Sequence, residues 1–310
     1  MKSTFWPHNV STYDLLKIVL EDPRVPKSAI AKKFRVNYKT AAAWWDSLIQ
    51  KNIIRPPILK RKSFLNFREY YCFMNVEDPH DLYLNLQNKQ GIVYHNVQTG
   101  FANFQIVSKT PLSLKGDTVL SGPRSDFYVS IPPDCSFEKS IDMIRKKIQS
   151  PDFDIEVTPS PLVYHDEEYP LWDDDDEKIY EELRSDLRKS FADVLKKTGT
   201  YKDKIMTWIR TRDDFGQTIT MYFPEGLNTY QPTVFCVESE YDSVLIDLFS
   251  WLPASTVFYR VEDKLLISFY LPYNLEGRYI VREVLSTLRK KELVTNYTNS
   301  IVEYYFRSEP

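Results

Sequence analysis

The chain repeats itself, and that limits its possible folds more than any other feature. Shifting the sequence by 164 residues, without a gap, superposes Asp22 on Asp186, Arg24 on Arg188, and Lys32 and Lys33 on Lys196 and Lys197. The same shift sets Trp44 on Trp208, Cys72 on Cys236, Val93 on Val257 and Val97 on Val261. Apolar class is kept at Leu16/Tyr180, Ile30/Val194 and Trp45/Ile209. One offset held over such a span marks an internal duplication, so both halves must find the same fold. The 310 residues then read as one multi-domain unit used twice.

Each copy has one order of elements. In the first, apolar Leu15, Leu16, Val19 and Leu20 lie at helical spacing over 12–20, and Pro23 stops that helix. A short helix over 28–34 follows, and Asn37 is placed to cap a third over 38–50. Asn52 suits a left-handed C-cap, and its partner under the offset is Gly216, the best residue for that conformation. Three short helices before a basic, proline-bearing stretch (55–68) give the order of a winged helix-turn-helix.

Strand-like runs at 70–76, 92–97 and 101–107, helices from Pro79 and over 137–148, and a strand near 153–157 complete the copy. That β-α-β-β-α-β order is ferredoxin-like. The second half repeats it at 234–237, 242–252, 256–261, 265–271, 278–290 and 301–306. The expected fold class is α+β, in four domains: winged heads at 1–68 and 171–228, ferredoxin-like domains at 69–165 and 229–310. The first ferredoxin-like domain carries an insert near 112–131, read as a hairpin or lid. The acidic run 173–177 between the halves reads as solvated linker favouring the start of the next helix.

Charge separates the two copies. Net charge over the chain is −3, but residues 1–70 hold 14 Lys and Arg against 5 Asp and Glu, or +9, leaving −12 for the rest. The second head, counted over 171–230, has 10 basic and 13 acidic residues. Only the first head therefore has the positive field that phosphates attract. A helix-turn-helix reads the major groove with the start of its last helix, here Asn37, Tyr38, Lys39 and Thr40, flanked by Arg35. Lys27, Lys32 and Lys33 on the preceding helix, and Arg55, Lys60, Arg61, Lys62 and Arg68 after it, are the candidate phosphate contacts. Trp45 shares a helical face with Ala41 and Leu48 and belongs to the core, whereas Trp44 is open to packing or to a DNA contact.

Several classes are excluded. Eight glycines, none closer than six residues to the next, cannot form a Gly-rich phosphate cradle. Cys72, Cys135 and Cys236 make no C-x-x-C pair, which points to a reducing, cytoplasmic setting, with Cys72 and Cys236 as small apolar residues. No signal-like start and no apolar run near 18 residues argue against a membrane partner. His8, His80, His95 and His165 are scattered over different elements, so no metal or cofactor site is expected.

The run Ile30-Ala31-Lys32-Lys33-Phe34-Arg35-Val36-Asn37, then Thr40-Ala41, Trp45, Leu48 and Asn52-Ile53-Ile54, resembles the DNA-binding head of the leucine-responsive regulator (Lrp/AsnC) family. Asn37 stands where that family has a capping Ser, and Asn52 where it has Gly. The resemblance implies a ferredoxin-like effector and association domain, and its T-G-x-x-D-like turn falls on Thr99, Gly100 and Asn103, making these the candidate effector contacts. The tandem form is similar to an archaeal-style variant, and two effector domains in one chain suit an internal pseudo-dimer. The leading expectation is thus a sequence-specific, double-stranded-DNA-binding transcription regulator without catalytic residues. Two chains would associate as a homodimer on a palindrome, with a small-molecule effector.

The alternative is an enzyme. Siroheme decarboxylases share this architecture, and Val93-Tyr94-His95 resembles their histidine-bearing segment. The arginine pair that the resemblance implies after the histidine is replaced by Asn96-Val97-Gln98. A ligand sensor or scaffold that binds no DNA is the third reading.

Overall fold

The computed structural model describes residues 10–150, 158–273 and 275–307. The first half opens with α1 (Thr12–Glu21), α2 (Lys27–Phe34) and α3 (Tyr38–Gln50), then β1 (Ile58–Arg61). It continues with β2 (Tyr70–Asn75), α4 (Pro79–Leu86), β3 (Ile92–Gly100), β4 (Phe104–Ser108), β5 (Asp117–Pro123), β6 (Tyr128–Val129) and α5 (Phe137–Gln149). The second half has α6 (Asp174–Leu183), α7 (Phe191–Thr198), α8 (Lys202–Phe215) and β7 (Gly216–Ile219). It closes with β8 (Tyr230–Glu238), α9 (Asp242–Phe249), β9 (Val257–Val261), β10 (Lys264–Pro272), α10 (Leu275–Lys290) and β11 (Asn296–Arg307). The 164-residue offset carries α2 onto α7 residue for residue. The mixed α+β class, with winged heads on ferredoxin-like sheets, stands as expected from the sequence.

Local chemistry sets the helix ends. Ser11 and Asp14 form a reciprocal capping box on α1, and Asn37 Oδ1 accepts from the Thr40 N–H to cap α3. Asn52 lies at φ 52°, the left-handed conformation its side chain tolerates. Gly216 departs from expectation: at φ −148° it is extended, because α8 runs directly into β7 instead of turning back. Leu15, Leu16, Ile30, Ala41, Trp45 and Leu48 fill the first head. Trp44 is in the same core, edge-on to Phe34 at 6.1 Å, which decides its role as packing.

The basic stretch after α3 does not build a wing on its own head. Its strand β1 pairs antiparallel with β7, Ile58 opposite Ile219 and Arg61 opposite Gly216, so each head supplies the other's strand. A second contact repeats the same symmetry. Arg24 donates to the carbonyls of Leu187 and Lys189 and stacks on Phe191 at 4.7 Å. Arg188 donates to those of Pro23 and Val25, at 3.0 and 2.7 Å, and stacks on Trp45 at 4.2 Å. Each arginine's turn is held alike, the Arg24 and Arg188 N–H groups donating to Asp22 and Asp186. These four residues are among the identities that disclosed the duplication.

The sheet is continuous across the halves, in the order β5-β2-β4-β3-β11-β8-β10-β9-β6. The second half has the ferredoxin-like order with β11 as fourth strand. In the first half that place is taken by β5, from the segment expected to be a hairpin or lid, so the fourth strand precedes the helix. The expected strand near 153–157 lies outside the described residues. Helix α5 packs on the second half instead, where Ile141, Ile144 and Ile148 join Val281, Val284 and Leu288 of α10, and Arg145 pairs with Glu283 at 2.6 Å. An Arg124–Val261 bridge brings the two ends of the sheet together. The curled sheet encloses a core from both halves that includes Phe73, Val107, Val234, Val261, Leu266 and Val302.

Arg24→Ala and Arg188→Ala should each cost about 2 kcal/mol in urea unfolding, from charged hydrogen bonds and ring stacking lost together. The double variant should cost less than the sum if the two arginines clamp one interface, which a double-mutant cycle reads directly.

Candidate functional site

The sequence-derived DNA contacts divide into two groups. Lys32, Lys33, Arg35, Asn37, Tyr38 and Lys39 are exposed around the start of α3, with Thr40 half-buried beside them. Lys33 pairs with Glu21 and Lys27 with Asp46. Asn37 Oδ1 is engaged in capping, and also accepts from the Thr40 hydroxyl at 3.0 Å. Arg55 turns to Asn52 Oδ1 at 3.3 Å.

The other group turns inward. Arg61 pairs with Glu177 and stacks on the Tyr180 ring at 3.7 Å, between Phe67 and Trp172. Lys60 lies 3.9 Å from Glu69. Lys62 donates to the Asp213 carbonyl at 2.7 Å, near the end of α8, where free carbonyls and the helix dipole favour a cation. Arg68 faces Asp166 at 4.0 Å. Arg61 and Lys62 thus fasten β1 to the second head, as its pairing with β7 requires.

The junction has a charged centre that the sequence did not disclose. Arg124, only 1% exposed, donates to Glu69 at 2.8 Å and to the Arg61 carbonyl at 2.8 Å, and lies 4.4 Å over the Phe127 ring. Burial works against the Glu69 carboxylate, but Lys60 and Arg124 hold its pKa down at about 2. Burial lowers the Lys60 ammonium to about 8, against the pull of Glu69.

Beside this centre lies a cleft of about 430 Å³ between α6, the 65–69 turn and the 88–93 segment. Arg61, Arg68, Lys89, Lys109 and Arg184 line it against Glu69 and Glu181, a positive surplus. Lys109 and Arg184 both hold Glu181, at 3.0 and 2.6 Å. Tyr180, at the base of the cleft, has its hydroxyl pushed up to about 12, by burial first and then by Glu69. Lys109, Tyr180 and Arg184 lie far apart in sequence from Arg61 and Arg68, so only the folded chain assembles this lining.

His95 is elsewhere. It is 0% exposed on the sheet face turned to α4, stacked on Phe306 at 5.3 Å, with Nε2 3.0 Å from the Tyr83 carbonyl. Burial lowers its pKa, so it is a neutral core histidine. The turn at Thr99 and Gly100 packs on β11, where a Cβ on Gly100 would lie 2.1 Å from the Asn299 carbonyl. Asn103 is engaged at both ends of its amide, by the Val76 N–H and carbonyl, and pins the end of β2. No group of three or more potential metal ligands occurs among the described residues. No described helix is long and apolar enough to cross a membrane.

No family model matches the sequence, and no curated protein matches it. Two solved structures do match the fold. The siroheme decarboxylase NirDL superposes with a TM-score of 0.54 at 12% identity, over 96% of this chain and 93% of that one. NirDL in complex with an iron-uroporphyrin III analogue gives 0.51 at 10% identity, over 95% and 91%. At such identity the likeness establishes a shared fold. It also corrects the sequence-based expectation of a non-enzyme, since the architecture taken as the mark of a regulator is, end to end, one that a decarboxylase uses.

Glu69 should govern acid stability. With a folded pKa near 2 against an ordinary 4.5, its contribution is complete above pH 4.5 and lost as pH falls toward 2. Glu69→Gln should flatten that acid limb and cost about 3 kcal/mol at neutral pH by leaving Arg124 buried without its carboxylate. Lys60 acts in the same direction at high pH, where stability from this group rises between pH 8 and 10.5 because the unfolded chain holds the proton longer. Unfolding in urea across pH, with and without E69Q, checks both limbs.

Proposed function

We propose that this chain is an enzyme of the siroheme decarboxylase type, acting on a tetrapyrrole that bears carboxylate side chains. The observation that carries the reading is the correspondence of the whole tandem architecture, 96% of this chain with 93% of NirDL. The cleft supports it through its chemistry. Cationic side chains on separate elements suit a rigid ligand with several carboxylates, and guanidinium groups bind carboxylates in a fixed plane. The cleft receives the carboxylate-bearing rim, with the exposed 88–90 segment as one lip. Iron enters only as part of the substrate.

Decarboxylation breaks the bond between carbon and carboxyl group and leaves its electron pair on carbon, where a proton must arrive. Tyr180 supplies the hydroxyl of the lining, so it is the residue assigned to present that proton. His95 has no part in this reading, because it is fully buried against Tyr83 and Phe306 and is not among the residues that line the cleft.

DNA binding remains a second reading on one observation, the exposed cations Lys32, Arg35 and Lys39 around the tip of α3. In that reading two chains associate to present two tips to a palindrome. Lys60 and Arg61 lie outside such an interface.

Siroheme added to the purified protein should shift its visible spectrum saturably, and Arg68→Ala and Arg184→Ala should each weaken the titration about tenfold. Tyr180→Phe should leave the titration intact and slow CO₂ release about 100-fold. An unchanged spectrum with the wild-type chain overturns the reading. Lys32→Glu with Lys39→Glu tests the second reading, since a gel shift on genomic fragments should disappear while the spectral titration is unaffected.

A further inference from the structure

Three of the five cations that line the basic cleft already hold a carboxylate of the chain itself. Glu177 and Glu181 stand four residues apart on α6 and so share one face of that helix. Glu177 pairs with Arg61 and lies 3.6 Å from Lys109. Glu181 accepts from Lys109 Nζ on Oε1 at 3.0 Å and from Arg184 Nε on Oε2 at 2.6 Å. Its two oxygens therefore bridge a cation next to the end of β4 and a cation at the C-cap of α6. Burial works against this carboxylate, but Lys109 and Arg184 hold its pKa below the ordinary value.

The other two cations are less engaged. Arg68 is 4.0 Å from Asp166, whose side chain is almost fully exposed, and Lys89 is exposed on the opposite lip. The cleft thus has an open pair, Arg68 and Lys89, and a pair already bridged by a carboxylate, Lys109 and Arg184.

A cation that holds Glu181 serves an incoming carboxylate only by exchange. Exchange requires no opening of the core, because the Lys109 and Glu181 side chains are 53% and 30% exposed. It replaces one solvent-accessible ion pair by another, so little free energy separates the two arrangements. A ligand with a single carboxylate finds no advantage there. It offers the same group as Glu181 and loses translational freedom that a side chain tethered to α6 has already given up. A rigid ligand with several carboxylates differs. Once Arg68 and Lys89 hold one of them, another stands beside the bridged pair at high effective concentration.

We propose that Glu181 is an internal occupant of a carboxylate subsite formed by Lys109 and Arg184, and that rigid polycarboxylates displace it. Glu181 is then a specificity-determining residue, setting a threshold that a single carboxylate does not pass. From the decarboxylase reading this takes only that the cleft receives carboxylates.

Calorimetric titration of the full chain with benzenehexacarboxylate tests it, with benzoate as the single-carboxylate counterpart. Glu181→Gln keeps the size of the side chain and removes its charge, so it should bind the hexacarboxylate about tenfold more tightly than the wild type does. In a Lys109→Met background the same change should alter affinity by less than about twofold, because the exchanged cation is gone. Glu182→Gln removes an equal charge from a residue that pairs with Lys189 and Lys197 outside the cleft, and should leave binding unchanged. Glu181→Asp retains the charge but is too short to bridge the pair, and should give a smaller gain in the same direction. Benzoate should not bind the wild-type chain saturably.

Unchanged or weaker binding of the hexacarboxylate by both Glu181 variants overturns the proposal, since it makes Glu181 a support that positions Lys109 and Arg184. An equal gain in Glu182→Gln, a gain that persists with Lys109→Met, or benzoate binding as tight as that of the hexacarboxylate does so as well. A siroheme titration that fails beside a Lys109-dependent gain strikes the decarboxylase reading and leaves the exchange standing. A siroheme shift without that gain does the reverse.

Discussion

The rest of the structure depends on one strand serving two halves. An open ferredoxin-like sheet leaves rows of unpaired N–H and C=O groups at its margins, which invite pairing with another chain. Here β11 supplies the second half's fourth strand and, over its last residues, closes the margin of β3. Gly100 makes that contact possible, since any side chain would meet the Asn299 backbone at the point where β3 and β11 cross. At the far ends Arg124 bridges Val261, so backbone groups that two separate domains would leave free are paired within the chain.

Joining the sheets fixes where the heads must go, and the heads are joined by the same symmetry. β1 pairs with β7, and Arg24 and Arg188 exchange equivalent contacts across the pseudo-twofold axis. Between heads and sheet the remaining space is filled by charge, with Glu69 set among Lys60, Arg61 and Arg124. Removing charges from water is unfavourable unless each is paired and hydrogen-bonded. Arg124 meets that condition through Glu69 and two backbone carbonyls. The basic cleft is the solvent-facing margin of this cluster, which is why its cations come from β1, the turn that follows it, the 88–93 segment, the residue after β4 and the C-cap of α6.

Much of the fold was legible because duplication doubles a weak signal. Helical spacing in 12–50, the Asn37 cap and the positive φ of Asn52 follow from local chemistry that neighbouring residues decide. Asn103 and Gly100 were noticed as a turn, and their actual work, pinning β2 and admitting β11, needed partners about 27 and 200 residues distant. The same limit explains the insert at 112–131. Its length and composition suited a hairpin, and only pairing with β2 makes part of it the fourth strand. His95 was visible as a histidine at a strand, but which face it took depended on where α4 packs.

The sequence by itself determined the duplication, the α+β class, the helix caps and the concentration of positive charge in the first seventy residues. Those properties are set by residues close together in the chain or by simple sums along it. Only the tertiary structure decided which cations face solvent. Lys32, Arg35 and Lys39 remain outside, while Lys60 and Arg61 are drawn between head and sheet because the strand that carries them pairs with the other half. Formal charge is a property of the sequence. The field a partner meets depends on which charges burial and ion pairing have already engaged, and that is settled by packing across the whole chain.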